Sequence, residues 1–80
     1  MRPSKQEIEE ESRKMKYLRA TVDLTVAILR QSHLSVPEAL ELITATKKHV
    51  LSIFPDKEAT YDLIYKPKFE RIITERLERN

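Results

Sequence analysis

The chain contains no glycine and only one asparagine, Asn80, and this constrains its fold more than any motif it carries. Hairpin turns and strand bulges depend on residues that tolerate positive φ, chiefly Gly, Asn and Asp. A chain nearly without them has few means of building a tight β-turn. Helices joined at proline- and serine-marked breaks suit it better. The same absence removes every glycine-built phosphate cradle: the P-loop, the dinucleotide fingerprint and the kinase-type loop.

Helical periodicity then divides the chain. Ser4 with Glu7 three residues on is a helix start of capping-box spacing, and Glu7, Glu9, Glu10 and Glu11 favour the positive end of the helix dipole. Glu9–Arg13 and Glu10–Lys14 stand at i,i+4. Ile8, Met15, Val22 and Leu29 recur every seven residues, with Leu18 and Val26 beside them, predicting helix 1 over Lys5–Gln31. Its first half carries little apolar surface and is expected to project or lie on the surface. Its second half is apolar on nearly every face and is expected to be covered from several sides.

After Ser32-His33-Leu34, the run Ser35-Val36-Pro37-Glu38 combines a serine cap, a first-turn proline and a glutamate three residues on. Helix 2 should run to about Ile53, with Val36, Ala39, Leu40, Ile43, Val50 and Phe54 as its core stripe, widened by Leu42 and Ile53. Phe54-Pro55-Asp56 ends it. A short helix 3 is expected over Lys57–Tyr65 with Ala59, Leu63 and Ile64 inward. Pro67 then kinks or restarts the chain, and helix 4 follows over Lys68–Glu78 with Phe69, Ile72, Ile73 and Leu77 at helical spacing. Short connections make sequential helices antiparallel neighbours.

The expectation is an all-α fold: residues 1–80 as one small helical bundle, residues 1–4 frayed, with a long antiparallel helical hairpin closed by one or two short C-terminal helices. The 80-residue chain can bury only about 60% of the surface its unfolded form exposes, so its stability is marginal. It has no cysteine, hence neither disulfides nor thiolate zinc, and self-association is the remaining source of buried area. No apolar run reaches the roughly 18–20 residues a membrane span needs. A cysteine-free chain without a leader-like start is expected in the cytoplasm.

Chemistry is thinly represented. His33 and His49, the only histidines, are sixteen residues apart and offer no converging ligand set; His33 is expected to cap helix-end carbonyls. The glutamates sit in helix first turns, where the dipole accounts for them. Asp23, inside the apolar half of helix 1, is expected to pair with Arg19 four residues earlier, at the surface or as a buried contact fixing dimer register. No serine stands in a nucleophile elbow. The chain is therefore expected not to be an enzyme and to need no cofactor, metal or small-molecule substrate.

Two surfaces remain as candidates. Leu18, Val22, Leu24, Val26, Ile28 and Leu29 on helix 1 form a candidate self-association face. Lys47, Lys48, Tyr61, Tyr65, Lys66, Lys68 and Arg71 interleave charge with aromatics and form a candidate partner or nucleic-acid surface. Against nucleic acid, residues 21–54 and 55–80 each sum to zero charge, and the whole excess of +2 lies in the first twenty residues. The functional expectation is a non-enzymatic protein–protein interaction module, homodimeric or docking on a larger partner. The alternative is a small nucleic-acid-associated regulator working through the basic-aromatic segments.

Overall fold

The computed structural model describes residues 2–79, with the side chains of residues 2–78. Helix α1 spans Lys5–Gln31, α2 Val36–Ile53, a single 3₁₀ turn Pro55–Lys57, α3 Glu58–Ile64 and α4 Lys66–Arg79. Both serine starts act as caps. Ser4 Oγ accepts from the Glu7 amide at 3.1 Å. At α2 the box is complete: Ser35 Oγ accepts from the Glu38 amide at 3.2 Å, and Glu38 Oε1 accepts from the Ser35 amide at 3.1 Å. These bonds from Ser35 hold the Glu38 carboxyl below its usual pKa. Ser4, expected to fray, is held as the cap of α1, and Met1 lies outside the described residues.

Cross-helix contacts fix the topology. Tyr17 meets His49 at 3.1 Å and Thr25 meets Thr46 at 2.8 Å, so α2 runs antiparallel to α1. Lys57 pairs with Glu11, Lys68 with Asp23 at 3.6 Å, and Arg76 with the Leu29 carbonyl at 2.9 Å. Residue numbers rise together along this second seam, so α3 and α4 run back parallel to α1. The result is an up-down-up bundle measuring 52 × 18 × 18 Å. At about 1.5 Å per residue α1 is about 40 Å long and α2 about 27 Å, so the first turns of α1 extend past the bundle. No described residue before Leu18 is buried. Among the described residues, no helix is long and apolar enough to cross a membrane.

The core joins Leu18, Val22, Val26 and Leu29 of α1, Ala39 and Val50 of α2, and Tyr61, Tyr65, Phe69 and Ile72 of the C-terminal arm. Between α1 and α2 it holds one polar pair. The buried Thr25 and Thr46 hydroxyls are 2.8 Å apart, and each also lies near a carbonyl one turn earlier, that of Thr21 at 3.2 Å and that of Leu42 at 2.9 Å. One proton per hydroxyl suffices to satisfy both within this group.

The arm corrects the expected inward set. Ala59, Leu63 and Ile64 are exposed, Leu63 at 79%. The buried stripe is Tyr61, Tyr65, Phe69 and Ile72, and it passes through the Pro67 break without losing phase. Pro67 is the second residue of α4, where a missing N–H costs little, so the helix bends at Tyr65 and continues on the same face. Tyr61 stacks obliquely on Tyr65 at 5.7 Å and on Phe69 at 6.5 Å.

The glycine-free sequence also decides how α1 ends. No described residue has positive φ, so no left-handed cap closes any helix. Ser32 leaves α1 extended, with φ −96° and ψ 151°. The Arg76 guanidinium supplies donors instead, to the carbonyls of Leu29 (2.9 Å), Ser32 (3.1 Å) and Leu34 (2.7 Å). His33, expected in that role, is exposed in the linker.

Candidate functional site

The apolar stripe of α2 is wider than one neighbouring helix can cover. Ala39, Leu42, Thr46 and Val50 turn toward the core, while Leu40, Ile43, Lys47 and Leu51 lie one step round the helix. Because α3–α4 also packs on α1, it approaches α2 from one side only and leaves this second strip open. The outcome is a groove of about 890 Å³ between α2 and α3–α4. Its apolar lining comes from Leu40, Ile43, Leu51, Tyr61, Phe69 and Ile73. Leu40, expected in the core, is 48% exposed on the groove wall for this reason.

Lys47, Lys48, Asp62, Lys66 and Glu70 rim the groove. Lys47 Nζ lies 2.8 Å from Asp62 Oδ1, bridging α2 to α3. That side-chain contact raises the Lys47 pKa above its usual value. Lys48, Lys66 and Glu70 form no ion pair among the described residues. Glu41 lies just outside, on a shallow continuation of the groove that it shares with Leu40, Thr44 and Lys48.

Tyr61 lines the groove at 2% exposure, and its hydroxyl has no hydrogen-bond partner among the described residues. Burial, then the neighbouring Asp62 carboxylate, pushes its pKa up to about 12. A raised pKa means the fold favours the neutral phenol. Its contribution is whole below the ordinary tyrosine value of about 10 and is lost as pH rises from about 10 to about 12. Tyr61→Phe removes an unsatisfied buried group, so the variant should gain about 0.5–1.5 kcal/mol at neutral pH. It should also lose less stability than the wild type between pH about 10 and about 12. Denaturant melts at both pH values measure this, and a variant less stable than the wild type at neutral pH would contradict an unpaired hydroxyl.

The candidate surfaces are redistributed. Of the self-association face, Leu18, Val22, Val26 and Leu29 are buried within the chain's own core, because α2 and α3–α4 cover α1 from two sides; Leu24 and Ile28 alone stay exposed. Of the partner surface, Lys47, Lys48, Tyr61 and Lys66 come together at the groove. Tyr65 is buried and Tyr61 presents no open face, so neither offers a stacking platform. Lys68 turns to α1 and Asp23, and Arg71 is exposed away from the groove lining. Asp23 also pairs with Arg19 at 3.8 Å and is half exposed, so within the single chain the pair lies at the surface. Among the described residues, no three His, Asp or Glu side chains converge as a metal site.

The groove itself was missed from sequence. Its trace there is the breadth of the α2 stripe, which exceeds what one packing partner needs. Comparisons with protein-family models, curated proteins and solved structures each found no match to this chain.

Proposed function

We propose that the chain is a non-enzymatic protein–protein interaction module whose docking surface is the α2/α3–α4 groove. The observation that supports this reading is a continuous apolar strip, Leu40–Ile43–Leu51 facing Phe69–Ile73, left open and rimmed by charge. Apolar clefts ringed by polar residues are typical docking surfaces. Ile8, also exposed, lines a groove of about half the volume, about 420 Å³, beside Met15. The cytoplasm, read from the cysteine-free composition, is part of this proposal. The nucleic-acid reading has less support, since its tyrosines are buried and Lys47 and Lys68 are paired with carboxylates.

A matched pair of variants tests the proposal. Leu40→Lys places a charge in the groove and Leu24→Lys places the same charge on the outer face of α1, both at exposed positions that spare the core. A bona fide partner, captured by the wild type and by Leu24→Lys, should bind Leu40→Lys at least about tenfold more weakly. Equal binding by both folded variants would sink the groove as the docking surface.

A further inference from the structure

We draw no further inference here: the strongest candidate, the apolar groove between α2 and α3–α4 with the unpartnered Tyr61 hydroxyl buried at its wall, belongs to the site already described, and nothing in the structure shows what covers it.

Discussion

Arg76→Ala should lower the melting temperature by about 10–20 °C, the largest effect expected of any surface-reaching charge in this chain. The guanidinium donates to three carbonyls, those of Leu29, Ser32 and Leu34, from a half-buried position. Those carbonyls belong to a helix end and linker with no left-handed cap to satisfy them. Hydrogen bonds to charged groups each contribute about 1.5–3 kcal/mol in favourable cases, and the acceptors left behind add a desolvation penalty. Losses in one network are not additive, so about 2–4 kcal/mol is the expected total, and each kcal/mol moves the midpoint of a domain this size by about 4–8 °C. Arg76→Lys should recover only part of the loss, since an ammonium lacks the planar fork that reaches separated acceptors. Thermal melts followed at the helical circular-dichroism band provide the measurement. A shift below about 2 °C for Arg76→Ala would mean that water satisfies those carbonyls equally well. The same bond set ties the end of α4 to the α1–α2 linker, so hydrogen exchange at the end of α1 should quicken in the variant.

The second large effect separates two neighbours in sequence. Phe69→Ala should cost about 3–5 kcal/mol, as large-to-small changes at closed core positions do, and Leu63→Ala should stay within about 0.5 kcal/mol. Phe69 is 2% exposed, packed against Tyr61, and also closes the floor of the groove. Leu63 is largely in solvent. The stability of an 80-residue domain is about 4–12 kcal/mol, so Phe69→Ala could remove most of it. Urea titrations of both variants decide the matter. Comparable losses at the two positions would mean that α3 presents a different face to the core. Reading helix 3 apart from helix 4 would favour Leu63, whereas the stripe carried through Pro67 favours Phe69.

That contrast marks how far the sequence could be read. The all-helical class, the limits of α1 and α2 and the caps at Ser4 and Ser35 were legible because each depends on local chemistry. Serine with a glutamate three residues on forms a capping box wherever the chain can turn, and the lack of glycine disfavours tight β-turns throughout. The quiet start of α1 was legible too, because before Met15 the helix has Ile8 as its one apolar side chain and little to bury. The face of α3 was not. A seven-residue helix gives two turns of pattern, in which Leu63 and Ile64 outweigh Tyr61 by hydropathy alone. The decision rests with α4, whose Phe69 and Ile72 fix the phase at which the whole arm meets α1.

The candidate site divides along the same line. The sequence by itself determined which side chains are available: lysines 47, 48 and 66, the apolar breadth of α2, and a proline-bent arm carrying aromatics. Only the tertiary structure decided their roles. Leu18, Val22, Val26 and Leu29 could have met a second copy; once α3–α4 runs parallel to α1 they are enclosed within the chain, and the unpaired apolar strip moves to α2. Periodicity states which residues share a helical face, but which face is covered depends on where the other helices lie. That placement is set by long-range contacts such as Arg76 with Leu29 and Lys47 with Asp62, whose partners stand far apart in sequence and leave no local pattern.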